Sequence, residues 1–372
     1  MDRRAVVVTG VGVVNSAVVG ASAALGAWLA QPRAGVRAPV GHGRPAARLP
    51  EATLAGLVDA GDARRLSRVC QLTIAAARIA VAESGIDPAR GLGLVIGSEM
   101  GDFTSTIAFA DGYLARGAAG LSALLFPNTV MNTMAATTAI AVASRELSLT
   151  LNAPTVAGEL ALTLNVPTVA GELAVARGAA AVAGGRVDAV LAGGVDEVDP
   201  LVAEMLDVLG DEAVRGEGAT FLVLEAERAA RARGATVLGR IDGTAWRSLP
   251  ARPWGVGRRA ESRAIDDARR RAGGRPPGWV YHSATGDRER DAWEARVLAR
   301  ALGATPPAAS LGALLGQHGG LGALRVAAAV WTARSGLLPD DAGGAPTRVS
   351  GPGLVHGLAR GGGHVALMVS PA

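Results

Sequence analysis

Residues 149–161 read LTLNAPTVAGELA and residues 162–174 read LTLNVPTVAGELA, a tandem copy in which only Ala153 and Val166 differ. Each copy has the pattern of a short apolar strand, LTLN, then a Pro-Thr turn, then a glycine-containing helix start. A strand that breaks into a helix through a tight turn is where many α/β enzymes hold a nucleophile clear of the sheet. The residue on that turn is Thr155 in the first copy and Thr168 in the second. A threonine hydroxyl is a poor nucleophile unless a base lies within hydrogen-bond reach.

The other regularities fit an α/β chain. At 372 residues the protein can bury a large core and divide into two domains or two similar halves. With 49% hydrophobic but only 3% aromatic residues, that core is built from Ala, Val and Leu. Short apolar runs at 5–9, 93–96, 189–192, 221–225, 237–241, 279–282 and 365–369 read as buried strands. Helical patterns at 65–84, 173–183, 262–272, 292–301 and 319–335 separate them, which predicts parallel sheets covered on both faces.

Several function classes drop out. The 37 basic residues are all arginine, scattered, with a net charge of +4. The densest group, Arg258, Arg259, Arg263 and Arg269 to Arg271, alternates with Glu261, Asp266 and Asp267 as on a solvated helix face. Its sharper reading is a dock for an acidic partner protein. No aromatic interleaving supports nucleic-acid binding. A single cysteine, Cys70, excludes a disulfide framework and a cysteine-rich metal site, and its helical setting marks a packed thiol. No histidines and carboxylates have metal spacing, so no metal and no cofactor is expected. The apolar run 5–30 is interrupted by Thr9, Asn15, Ser16 and glycines and reads as a buried strand plus turn. Membrane insertion is therefore not expected, and the chain reads as cytoplasmic. Ser98 lies in IGSEMG, not in a nucleophile-elbow motif, and Asn15 stands where a dinucleotide fingerprint needs its third glycine.

Six segments carry a family resemblance over nearly the whole chain: RRAVVVTGVGVV at Arg3, LLFPNTVMNTMAA at Leu124, VDAVLAGGVDEV at Val187, GEGATFLVLE at Gly216, ASLGALLGQHGGLGALRVAAAV at Ala309 and GLARGGGHVALMVS at Gly357. In this order they resemble the β-ketoacyl synthases of fatty-acid and polyketide assembly. The resemblance implies a thiolase-like fold of two similar βαβ halves packed as five layers, α-β-α-β-α. It places an N-terminal half at 1–235, carrying the duplicated elbow segment 149–174, and a C-terminal half at 236–372. It also implies that one repeat copy keeps the elbow position while the other is looped out. The second copy is favoured because its helix pattern continues unbroken over 172–182.

In that family a cysteine on the elbow takes the acyl chain, and two histidines and a lysine assist decarboxylation and enolate stabilisation. Here spacing from Gly193 and Gly194 puts Thr168 at the cysteine position, and spacing from Pro127 puts Thr155 there. His282 falls at or beside the first histidine, with the alignment shifting by about one residue before Asp291. The second histidine falls at Ala313, the lysine near Ala308, and a gating phenylalanine at Arg360, with His364 in place of an asparagine. His318 reads as a helix-start or surface histidine, and His356 as preceding a turn. Asp196 and Glu197 read as structural residues near a strand end. The resemblance makes Phe103, Phe126, Met131 and Met134 candidates for lining the tunnel, and Phe126, Met131, Arg360, Gly361 and Gly362 candidates for contacting substrate.

Without the thiol and with at most one of two imidazole donors, condensation is not expected. Losing one such donor typically costs a factor of about a hundred to a thousand. The resemblance points to a non-catalytic, chain-length-factor-type subunit that pairs with a cysteine-bearing ketosynthase and meets an acyl carrier protein. A homodimer, a divergent acyltransferase using Thr168 with His282, and an inactive relative disrupted by the duplication remain as alternatives.

Overall fold

The computed structural model describes residues 4–32, 45–144, 161–165, 169–208, 210, 213–252, 255–304 and 306–372. The apolar runs form strands whose two faces are both covered. Every residue of β1 (Val6–Asn15), β2 (Leu92–Ser98) and β4 (Ala189–Asp196) is buried. With β3 (Ala161–Asn165) and β5 (Gly218–Ala226) they make one set of strands. A second set is β6 (Gly239–Ser248), β7 (Trp279–Tyr281), β8 (Ala308–Ala309), β9 (Gly353–Leu358) and β10 (Gly363–Ser370).

The strands hydrogen-bond in the order β3-β2-β4-β5-β1-β6-β10-β9-β7-β8. Read outward from the β1–β6 contact, each set runs first, fifth, fourth, second, third. In each, the fifth strand is antiparallel to its neighbours and the outer three are mutually parallel. One topology is thus used twice. The sheet is therefore mixed, not parallel as the strand–helix alternation suggested. Only residues 359–362 join β9 to β10, too short a connection for a parallel crossover.

The helices supply three layers. The ones that matter here are α1 (Arg68–Ser84), α2 (Phe103–Arg116), α3 (Thr133–Ala141), α4 (Ala170–Ala183), α5 (Pro200–Val208), α6 (Arg263–Arg271), α7 (Arg288–Leu302) and α8 (Gly319–Ser335). α4 and α8 pack on each other and on strands of both sets, α1 covers β1, β4 and β5, and α6 and α7 cover β6, β10 and β9. Alternating strand residues feed different layers: Leu222 and Leu367 enter the central cluster with Val175 and Leu324. Their neighbour Phe221 joins the cluster under α1, and Met368 joins that under α6 and α7. The five layers expected from the resemblance are present.

β1 runs on to Asn15 instead of turning after Thr9. Its glycines mark close approach, not a turn: a Cβ on Gly12 would lie 2.0 Å from the Ala76 carbonyl of α1. The second repeat copy supplies all of β3 after Ala161, with Leu162 opposite Val95 and Asn165 opposite Ser98. The first copy's turn lies outside the described residues.

Candidate functional site

The carboxyl ends of β2, β3 and β4 converge on the N-termini of α4 and α8, the crevice where open α/β sheets bind ligands. The close fit depends on missing side chains. A Cβ on Gly97 would lie 2.1 Å from the Ala170 carbonyl, and one on Gly194 would lie 2.1 Å from the Gly319 carbonyl. Asp196, the last residue of β4, ties the elements together. Its carboxylate accepts from the Ser98 hydroxyl at 2.6 Å, from the Glu99 and Met100 N–H groups at 3.0 and 3.1 Å, and from the Gly319 N–H at 2.5 Å. The last of these opens α8, so the carboxylate also satisfies an orphan donor of that helix.

Beside Asp196 lies a cavity of about 20 Å³ lined by Glu99, Glu197, Arg215, Gln317 and His318. Arg215 pairs with Glu99 at 3.3 Å, and the Gln317 amide also donates to Glu99. Burial, with the Glu99 carboxylate nearby, pushes Asp196 up to about 7. Burial likewise lifts Glu197 to about 7 and drops His318 to about 4. His318 is 2% exposed, so it is a buried histidine at the helix start and not a surface one. Its Nδ1 lies 2.9 Å from the Gly316 carbonyl oxygen, which can only accept, so the proton sits on Nδ1. Nε2 is left as an acceptor without a partner among the described residues. An imidazole in this state offers no N–H to a developing oxyanion.

His282 follows β7 directly. Its Nδ1 accepts from the Ala284 N–H at 3.4 Å, and its Nε2 stands 3.5 Å from Asp341. Both ring nitrogens are therefore engaged. Against burial, which alone would raise it, the bond from His282 and the Ser310 N–H hold Asp341 below the usual carboxylate range. The His282 carbonyl accepts from Arg325 of α8 at 3.0 Å. Arg325 also pairs with Glu172 of α4 at 3.1 Å, with both side chains fully buried. Burial pushes Glu172 up.

A second buried network backs the His282 loop. Ser283 donates its hydroxyl and its N–H to Glu294, and Arg290 donates to the Ser283 hydroxyl at 2.6 Å and to the Leu358 carbonyl at 3.0 Å. His356 lies inside β9, not before a turn, and its Nδ1 stands 2.8 Å from Glu294. Although burial works the other way, His356 and Arg290 hold Glu294 well below the carboxylate range. No three His, Cys, Asp or Glu side chains gather as metal ligands among the described residues.

No protein-family model matches the chain. Among known proteins, the tetracenomycin polyketide synthase ketoacyl synthase alpha subunit of Streptomyces glaucescens is 32% identical over 166 residues. The match takes in 42% of this chain and 38% of that subunit's length. Among solved structures, the ishigamide ketosynthase/chain length factor superposes over 100% of both chains with a TM-score of 0.82 at 23% identity. A type II polyketide acyl carrier protein in complex with its ketosynthase, bound to a hexaketide, does so over 100% of both chains with a TM-score of 0.81 at 17% identity. This is the ketosynthase fold.

Within the ketosynthase fold, the residues singled out from the sequence fall in several places. Thr155 and Thr168 lie outside the described residues, although β3 and α4 bracket the second turn. Ala313 is exposed on the short helix Gly312–Leu315, whereas Gln317 and His318, which the sequence did not single out as site residues, line the cavity. Arg360 is held by a bidentate pair to Asp287 at 2.5 and 2.7 Å. Gly361 and Gly362 turn with φ of 84° and 91°, and a Cβ on Gly362 would lie 1.9 Å from the Leu249 carbonyl. Met134 is core, Met131 lies against Gly101, and Phe126 is 58% exposed beside Phe109. The chain's one thiol, Cys70, is buried in α1 and pushed up to about 11 by that burial.

Proposed function

We propose that this chain is a non-catalytic, chain-length-factor-type subunit that pairs with a cysteine-bearing ketosynthase in polyketide or fatty-acid chain elongation and meets an acyl carrier protein. The observation that carries the reading is the state of the groups a condensing site needs. The single thiol is buried and held protonated under α1. His282 has both nitrogens occupied, and His318 in the cavity beside Asp196 presents a lone pair and no N–H. A divergent acyltransferase using Thr168 needs a base with an open lone pair, whereas the Nδ1 of His282 already accepts from the Ala284 N–H and its Nε2 faces Asp341.

The surface supports a partner. All ten large hydrophobic side chains exposed among the described residues fall in two segments, Tyr113, Leu114, Leu121, Leu124, Phe126, Val130 and Ile140 in one, Leu201, Met205 and Val208 in the other. Thr104 of α2 bonds Asp199 just before α5 at 3.0 Å, which brings the two segments together. A concentration of apolar side chains on one face marks a protein–protein contact. Complexes named for a ketosynthase with its chain length factor and for a ketosynthase with its carrier protein share this fold, which favours a ketosynthase as the occupant. The test is co-expression with a cysteine-bearing ketosynthase, followed by mass and stoichiometry of the purified complex. A stable one-to-one complex is expected. A homodimer that ignores the ketosynthase would overturn the proposal.

A further inference from the structure

Two grooves meet at the end of the molecule opposite the elbow. One, of about 290 Å³, is lined by Arg4, Arg240, Arg271 and Arg275 over a floor that includes Val6, Ala179 and Ile241. The other, of about 330 Å³, starts from the same Arg240 and Arg275 and passes Ser350 and Ser370. β1 begins at the first groove and ends at Asn15, opposite Gly218, which also pairs with Asp196. At about 3.3 Å per residue, its ten residues put the grooves about 30 Å from the cavity at Asp196.

The charge there is positive: the first groove's four arginines face Asp242 in its lining and Asp188 and Glu227 beside it, and the second groove has no acidic lining residue. Arg275 is exposed and has no hydrogen bond or ion pair among the described residues. Arg240 pairs with Glu227, yet its Nε is buried without a partner. Arg271 gives one nitrogen to the Thr244 carbonyl, and Arg4 pairs with Asp188 at 2.5 Å. The alanine floor keeps the surface concave, the shape that holds a small ligand.

Guanidinium groups match phosphate oxygens with two parallel N–H bonds, and an unpaired arginine, Arg275, beside a second guanidinium, Arg240, across a concavity is an arrangement that phosphate recognition uses. We propose that the two grooves form one site for a small organic phosphate. The phosphoryl group lies between Arg240 and Arg275, and the polar remainder runs along Ser350 and Ser370. The site is separate from the elbow and from the apolar face, so it stands or falls independently of the partner reading.

The probe is inorganic pyrophosphate, titrated calorimetrically into the full chain at physiological salt. Saturable one-site binding is expected. Arg275→Ala should weaken it at least about tenfold, the loss of one charge-assisted contact. Arg300→Ala, an exposed arginine on α7 outside both grooves, should leave it unchanged, and neither variant should alter pairing with the ketosynthase. Absence of saturable binding at millimolar pyrophosphate overturns the proposal. Equal weakening in the Arg275 and Arg300 variants does the same, since it would mark general attraction of an arginine-rich surface for anions.

Discussion

Deleting residues 149–161 removes a whole repeat copy and should leave a more stable protein. After the deletion Ser148 runs directly into Leu162, so LTLN keeps its place beside β2, with Ser148 in the position of Ala161 opposite Leu94. The connection from Ser144 to β3 shortens from residues 145–160 to residues 145–147. That span is short enough. The Ser144 hydroxyl bonds the Leu92 carbonyl and Ala161 pairs with Leu94, so the two ends lie about two residues and one strand apart, roughly 10 Å. Three linking residues reach about 13 Å. Loop closure over the shorter connection costs about 1.5 kcal/mol less, an upper bound on the gain.

The converse arrangement, with the first copy on the elbow, is closed off by the second copy's own residues. The helix continuing from the first copy would place Pro167 where Ala180 stands in α4 and Asn165 where Gly178 stands. An interior proline costs about 3 kcal/mol or more. A Cβ at Gly178 already meets the Ala192 Cβ at 2.9 Å, so an asparagine there adds about 1–3 kcal/mol of overpacking. Together these favour the second copy by at least about a thousandfold. Urea denaturation of the full chain and the deletion variant is the assay. The expected result is a midpoint raised by about 1 kcal/mol of stability with an unchanged slope. A variant that fails to fold, or that loses more than about 2 kcal/mol, would refute the register argument.

Three further outcomes are expected. Glu172→Ala strands the buried Arg325 charge and should cost about 3–5 kcal/mol in urea melts, while replacing both residues by Met should recover most of it; equal losses in single and double variants would sink the pair's role. Burial beside His356 pushes His364 down to about 4, so its neutral form contributes stability above the unfolded value near 6.5 that is lost as pH falls from there towards 4. His364→Asn should therefore close on the parent by about 2 kcal/mol between pH 7 and pH 5, and an unchanged difference at the two pH values would rule this out. Leu124→Asp, at a side chain 89% exposed, should change stability by less than about 0.5 kcal/mol yet abolish one-to-one assembly with a ketosynthase; normal assembly by gel filtration would remove the apolar face from the account.

Periodicity made the long elements legible. The helix expected at 319–335 is α8 residue for residue, and that at 65–84 is α1 with three residues fewer at its start. β9 escaped notice because GLVHGL mixes glycines with His356, whose burial depends on Glu294, 62 residues away in the chain. β6 was expected to end at 241 but runs to Ser248, since Asp242 and Arg247 look like loop residues until Arg247 is seen paired to Asp267 of α6. At the site, Asp196 was readable as a strand end. The bonds it collects from Ser98 and Gly319 were not, because neither residue carries a sequence signal for the contact. His318 misled for a similar reason: a histidine among glycines suggests exposure, whereas those glycines let the helices close over it.

The central claim is that this chain serves elongation without performing chemistry at its own elbow. The direct test is acyl-chain elongation by the reconstituted pair of this chain and a cysteine-bearing ketosynthase, with Thr155 and Thr168 both changed to Ala and intact mass read on each subunit. Unchanged elongation, with acyl mass confined to the ketosynthase, is the predicted result. Loss of elongation in the double variant, or acyl mass on Thr168 of the parent chain, would contradict it.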